Sequence, residues 1–181
     1  MTTTVPKAEG YLVVDTKKCA GCLSCMLACS LAHEGEENLA LSRIQVIQNV
    51  FGPYPQDMKA VVCQQCAKPK CVDACPTGAC YINTDHSNVR MIDESKCDGC
   101  LQCLEACPFV PPMTIWNREK NIVTKCDLCL DAPYWSEGGG PNGKQACVEV
   151  CPLKAIKLVK KAPQEMESVE DDVAIAQRVG Q

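Results

Sequence analysis

Seventeen of the 181 residues are cysteine, and sixteen of them fall into four spaced groups of four. The first reads Cys19-x2-Cys22-x2-Cys25-x3-Cys29. The second reads Cys63-x2-Cys66-x4-Cys71-x3-Cys75 and runs on into Pro76. The third, Cys97-x2-Cys100-x2-Cys103-x3-Cys107, is followed by Pro108. The fourth, Cys126-x2-Cys129-x17-Cys147-x3-Cys151, is followed by Pro152, which leaves Cys80 outside the pattern. A cysteine content this high marks a chain built around its thiols. The 46% hydrophobic share includes them, so the remaining apolar core is thin and needs a staple beyond side-chain burial.

Other features narrow the class. No apolar run is long enough for a transmembrane helix, so no membrane span is expected. Met1 to Gly10 shows neither an apolar signal core nor a twin-arginine pair, so the expected location is cytoplasmic. Thiols stay reduced there, which points to metal rather than disulfides. The net charge is −4 and no basic stripe is present, so nucleic acid is not an expected partner.

The spacing carries the chemistry. Three thiolates spaced by two residues share one tight loop and can hold three corners of an iron–sulfur cube. In the C-x2-C-x2-C-x3-C-P run, the fourth cysteine ligates the other cluster of a pair. The third group matches that run in full, and the first differs only in having Ser30 in place of the proline. The second and fourth follow the same plan with a longer loop before the third cysteine. Disulfides explain neither the spacing nor the prolines. Structural zinc also uses all-cysteine sites built from C-x2-C pairs. The three-cysteine loops argue against zinc in the first and third groups, and zinc at Cys126, Cys129 and Cys147 is the minor alternative.

The chain repeats itself. Val13 to Cys29 aligns without a gap against Met91 to Cys107, at an offset of 78 residues. Cys75 to Ile82 aligns against Cys151 to Leu158, at an offset of 76. Two copies of a unit with two cysteine groups each are therefore expected. Strands are expected at Leu12 to Asp15, Val46 to Val50, Lys59 to Val62, Tyr81 to Asn83, Val89 to Asp93, Ile122 to Thr124 and Ile156 to Val159. Short helices are expected at Leu23 to Ala32, Leu101 to Cys107 and Val148 to Cys151. Thr114 to Thr124 suits a hairpin around Asn117 to Lys120. The fold class is α+β, with short elements folded around inorganic cores that supply much of the folding energy.

His33 to Pro55 and the glycine-rich Asp131 to Ala146 read as insertions, the latter either closing over a cluster, meeting a partner or forming a solvated turn. Residues 1–10 are an N-terminal segment, and 11–162 a single domain with repeat halves of roughly 11–88 and 89–162. Residues 163–181 form a polar acidic tail, expected to be mobile or to order on a partner. No catalytic constellation is visible, so the chain is expected not to be an enzyme by itself. His33 and His86 read as ordinary loop and turn residues. Cys80 aligns with Ile156 and reads as a small buried hydrophobe. Trp116 and Trp135 read as packing against loops. Lys154, Lys157, Lys160 and Lys161 read as a small docking patch or a solvated strand edge.

From Leu12 to Lys160 the four-group pattern resembles the four-cluster, ferredoxin-like electron-transfer subunits of molybdenum and tungsten oxidoreductases. Those of the dimethyl sulfoxide reductase family, formate dehydrogenases and hydrogenases are examples. Cys29 to Gly35 and Leu41 to Ile44 look like the small cluster subunit of tungsten enzymes of the aldehyde:ferredoxin oxidoreductase type, such as class II benzoyl-CoA reductase. The resemblance implies a duplicated bacterial ferredoxin-like fold, with two paired-cluster units related by a pseudo-twofold repeat. It implies four 4Fe-4S clusters with swapped ligands. Cluster I takes Cys19, Cys22, Cys25 and Cys151, and cluster II takes Cys126, Cys129, Cys147 and Cys29. Cluster III takes Cys63, Cys66, Cys71 and Cys107, and cluster IV takes Cys97, Cys100, Cys103 and Cys75. The departures are Ser30 and the Asp131 to Ala146 loop, which bears most on cluster II.

The implied function is relay of single electrons to or from a large catalytic tungsten- or molybdenum-cofactor subunit, in a hetero-oligomer. A ferredoxin or a further electron-transfer subunit is the expected second partner. A formate dehydrogenase or hydrogenase partner is the alternative. A cluster-based sensor or assembly protein is the alternative of a different class.

Overall fold

The computed structural model describes residues 5–54 and 56–160. Its strands form four separate two-stranded antiparallel ribbons rather than one sheet. β1 (Tyr11–Val14) pairs with the last strand, β8 (Ile156–Val159), so the two ends of the domain close on each other. β2 (Ile44–Gln48) pairs with β3 (Met58–Val62), β4 (Cys80–Asn83) with β5 (Val89–Ile92), and β6 (Thr114–Asn117) with β7 (Ile122–Lys125). Four short α-helices lie between them: α1 (Ser24–Glu34), α2 (Lys70–Asp73), α3 (Gln102–Glu105) and α4 (Ala146–Val150). The α+β class holds, and the expected Thr114 to Thr124 hairpin forms.

Helix length follows one residue. Each helix carries the third or fourth cysteine of a group or lies between the two. Where proline follows the fourth cysteine, at Pro76, Pro108 and Pro152, the helix is only four or five residues long. A proline there has no N–H to continue the ladder. Ser30 stands at the corresponding position of the first group, and α1 runs on for 11 residues. The Ser30 hydroxyl donates to Leu27 O and accepts the N–H of Asn38. α1 ends where Gly35 turns left-handed, at φ 75°, and returns its N–H to Leu31 O, a single-bond αL cap. The buried positions of α1 are Cys25, Met26, Cys29, Ser30, Ala32 and His33, a stripe at helical spacing.

Two expectations shift. β2 starts and ends two residues earlier than the hydrophobic run suggested, because Asn49 Oδ1 accepts the N–H of Phe51 and ends the strand in a turn. The stretch read as an insertion from His33 carries this strand against α1, with Val46 N–H on Met26 Sδ. α2 and a 3-10 turn at Leu39–Leu41 had no signal in the hydrophobic pattern. The core mixes thiols with Leu12, Met26, Ile44, Val62, Val89, Met91, Leu128 and Ile156. The C-terminal tail expectation, and Lys161, lie outside the described residues.

Candidate metal centres

All four C-x2-C turns share one backbone feature. The residue before the second cysteine is left-handed in each: Gly21 at φ 65°, Gln65 at 51°, Gly99 at 73° and Leu128 at 60°. This conformation suits glycine and costs other residues roughly 1–2 kcal/mol. At Gly99 a side chain is excluded as well, since a Cβ would meet Asn121 O at 2.5 Å. At Gln65 the strain is offset by burial and two hydrogen bonds. Its Nε2 donates to Cys126 O at 2.9 Å and its Oε1 accepts the N–H of Arg90 at 2.7 Å.

These turns bring cysteines together across the chain. Cys19, Cys22, Cys25 and Cys151 line one hollow, with Val14, Val46 and Ile156 among its other walls. Cys63, Cys66, Cys71 and Cys107 line a second. Around Cys103, the thiols of Cys71, Cys97 and Cys75 lie within electrostatic reach, and Cys75 also acts on Cys100. Around Cys147 lie Cys29, Cys129 and Cys25, and around Cys126 lie Cys147 and Cys129. Among the described residues, no three His, Cys, Asp or Glu side chains form a group for a single metal ion. Eight of the thiols line the two hollows instead.

The fourth cysteine of every group receives a backbone N–H at 3.3 Å. The donors are Arg43 to Cys29, Cys80 to Cys75, Met113 to Cys107 and Ala155 to Cys151. Val123 N–H reaches Cys97 at 3.5 Å. An N–H aimed at sulfur stabilises the thiolate and tunes the group it ligates. A soft all-thiolate donor set of this kind fits an iron–sulfur cluster.

Left as thiols, several of these groups resist ionisation. Burial, reinforced by neighbouring sulfurs, pushes Cys25 up to about 11 and Cys66 and Cys103 to about 12. Burial drives Cys126 and Cys147 well above the ordinary thiol range. A cationic inorganic core removes that penalty, and its binding releases protons. Cys71 behaves in the opposite way: a hydrogen bond from the Cys80 thiol lowers it. Cys80 is thus buried in β4, as its hydrophobic reading suggested, and it is also a donor to a neighbouring sulfur.

His33 corrects the sequence reading. It is no loop residue but lies buried in α1. Its Nδ1 sits 2.9 Å from Cys29 O, and its Nε2 lies 3.0 Å from Asp127 Oδ1. Burial pushes its pKa down, but Asp127 and Cys29 outweigh that and hold it at about 10. Asp127 also accepts from the Cys129 N–H at 2.9 Å and from Arg43 Nη1 at 3.0 Å. Arg43 continues to Glu94 at 2.8 Å, and Lys120 bridges Glu34 and Glu94. Cysteine spacing does not mark Asp127 or Lys125. The available signal was a charged residue beside or inside a C-x2-C turn.

The Asp131 to Ala146 loop folds over the Cys126–Cys129 turn. Gly140 N–H donates to Leu128 O at 2.8 Å, and a Cβ on Gly139 would lie 1.9 Å from Cys129 O. Trp135 packs beside Ala32, Cys129 and Ala146 and donates to Lys144 O. Trp116 lies over Gly99, and His86 is an exposed turn residue. Lys154, Lys157 and Lys160 are exposed.

Residues 55–161 match the 4Fe-4S dicluster domain family. Over 156 residues the sequence is 35% identical to the B subunit of the anaerobic dimethyl sulfoxide reductase of Shigella flexneri, covering 79% of this protein and 69% of that one. Over 149 residues it is 33% identical to the thiosulfate reductase electron transfer subunit PhsB of Salmonella typhi, covering 80% and 72%. Among solved structures, the active site complex BamBC of benzoyl coenzyme A reductase with benzoyl-CoA aligns over 95% of this chain and 97% of that one. The identity there is 19% and the TM-score 0.44, too slight a likeness to bear on function.

Proposed function

This chain belongs to the 4Fe-4S dicluster domain family, and from that premise we propose that it is a non-catalytic electron-transfer subunit of a larger oxidoreductase, carrying four 4Fe-4S clusters. When bound, each cluster takes up and gives back one electron. The ligand sets are Cys19, Cys22, Cys25 and Cys151 (I); Cys126, Cys129, Cys147 and Cys29 (II); Cys63, Cys66, Cys71 and Cys107 (III); and Cys97, Cys100, Cys103 and Cys75 (IV).

The observation that carries this reading is the serial order of the thiols. Cys147 of set II lies within reach of Cys25 of set I. Lys125, next to Cys126 of set II, reaches Cys63 of set III. Cys103 of set IV lies within reach of Cys71 of set III. The order is therefore I–II–III–IV. Only Cys22 and Cys100, one in each end set, are exposed, and every cysteine of set II is buried. The four cysteines of set III are half-buried, so such a relay has accessible ends for partners and its most shielded cluster at an inner position.

The duplicated architecture belongs to the same proposal, with one domain at 11–162 and halves near 11–88 and 89–162. Asp15 N–H donates to Ala155 O at 2.8 Å, and the aligned Asp93 N–H donates to the aligned Ala79 O at 2.8 Å. Lys18 pairs with Asp15 and the aligned Lys96 with Asp93. β1–β8 and β4–β5 each join one strand from either half.

The catalytic partner in this reading is a large tungsten- or molybdenum-cofactor subunit. Four all-cysteine clusters take the net charge from −4 to about −12, at about −2 per oxidised cluster, which suits a basic docking face on that partner. No helix of the described residues is long and apolar enough to cross a membrane.

Anaerobic isolation followed by iron, sulfide and zinc analysis tests the cofactors. About sixteen iron and sixteen sulfide per chain are expected, and substantial zinc with about twelve iron overturns set II. Cys151→Ala should damage the cluster held by Cys19, Cys22 and Cys25, and loss confined to Cys126, Cys129 and Cys147 overturns the swap. Metal analysis of the co-purified large subunit decides the branch, tungsten favouring an aldehyde oxidoreductase or benzoyl-CoA reductase type of partner and nickel a hydrogenase.

A further inference from the structure

Lys125 is buried to 1% exposure at the end of β7. Its Nζ has three acceptors around it: Cys63 Sγ at 3.7 Å, Cys126 O at 3.4 Å and Arg90 O. An ammonium has three N–H bonds and no lone pair, so the site is built for the charged form. The residue lines the hollow of Cys63, Cys66, Cys71 and Cys107 and adjoins Cys126 in sequence. It therefore stands between the two inner sets.

Lys125 has no carboxylate partner: among the described residues, no Asp or Glu lies within ion-pair distance of it. The Arg90 guanidinium, which lines the same hollow, likewise has no carboxylate partner among the described residues and donates to the carbonyls of Asn88, Pro6 and Ala67. Set II differs, since its cations Arg43 and His33 are matched by Asp127, Glu34 and Glu94. A buried cation needs an anion close by. Beside set III the anions in reach are sulfurs.

We propose that Lys125 is a positioning residue for the electron: its uncompensated ammonium makes cluster III the most readily reduced of the four, so the electron rests mid-relay. This inference rests on the proposed relay. The step adds one electron to cluster III from a neighbouring cluster or, in the test, from dithionite, and Lys125 keeps its proton throughout. A fixed positive charge in a low-dielectric site stabilises the added negative charge.

The test is an anaerobic redox titration of the full chain, followed by EPR. In the native protein one cluster should be reduced before the other three. In Lys125→Met, at a fixed ambient potential, the reduced-to-oxidised ratio of that cluster should fall about tenfold, or about 59 mV for one electron. The other three should stay in place, and Lys125→Arg should restore the native order. Four unchanged waves in Lys125→Met at native iron content overturn the proposal, as does an equal shift of all four. Should Lys125→Met lose its clusters, native protein labelled with 15N-lysine decides the matter. The first-reduced cluster should show a 15N hyperfine coupling that Lys125→Arg lacks, and its absence overturns the proposal. An iron count far below sixteen in the native protein sinks the relay itself, a result separate from either outcome at Lys125.

Discussion

At the scale of single residues, His33 shows how burial and charge are balanced here. Its partner Asp127 accepts four hydrogen bonds, from His33, Arg43 and the N–H groups of Cys129 and Asp131. Removing the imidazolium leaves part of that buried carboxylate unpaired, at a cost of about 2–3 kcal/mol. The folded pKa of about 10 lies above the ordinary histidine value. The stabilisation is therefore complete below about pH 6.5 and is lost as pH rises through about 10. His33→Gln should lower the melting temperature most near pH 6, with the gap from the native protein closing toward pH 10. Anaerobic melts at matched iron content measure this, and a gap that widens with pH contradicts the ion pair. Lys154 offers a simpler case. It sits at φ 50°, where the aligned Gly78 has 67°. Its Nζ lies 3.4 Å from Glu149 O at an exposed site, so Lys154→Gly should stabilise by up to about 1 kcal/mol through relief of backbone strain. Destabilisation in the same melts would refute this.

At the scale of elements, the helices take their length from the position after the fourth cysteine, and the loops take their path from glycine. Proline after Cys75, Cys107 and Cys151 ends three helices within two turns, whereas Ser30 lets α1 carry His33 and Glu34 into the core. The Asp131 to Ala146 loop can seat on the Cys126–Cys129 turn only because Gly139 has no side chain. Gly139→Ala should lift the loop and expose set II to water. The expected outcome is loss of about four iron per chain, with sets I, III and IV intact by EPR. Full retention of iron would mean the loop has no part in holding set II.

At the scale of the whole molecule, four separate ribbons cannot make one continuous hydrophobic core, and thiols fill much of the interior. Cohesion then depends on what the thiols hold. β1 and β8 meet across almost the full described chain, and the thiols of Cys19, Cys22, Cys25 and Cys151 line one hollow with Val14 and Ile156 of that ribbon. Anaerobic removal of iron with a chelator should therefore abolish secondary structure and visible absorption together. A far-UV spectrum that survives complete iron loss would show that the polypeptide folds without its clusters.

The local chemistry was readable in the chain itself. Cysteine spacing defines turns only a few residues long, and a turn of that length has few conformations, so the short turns, most strands, the Thr114 to Thr124 hairpin and three of the four helices follow from the string of residues. The surroundings of the sulfurs were not readable. His33 finds Asp127 at a separation of 94 residues, Arg43 finds it at 84, and Lys125 finds Cys63 at 62. No spacing rule reaches that far, because such pairs are chosen by which loops pack together after the cysteines have gathered. A charged side chain reads as solvated until packing removes its water, and the fold alone decides which charges are buried against sulfur.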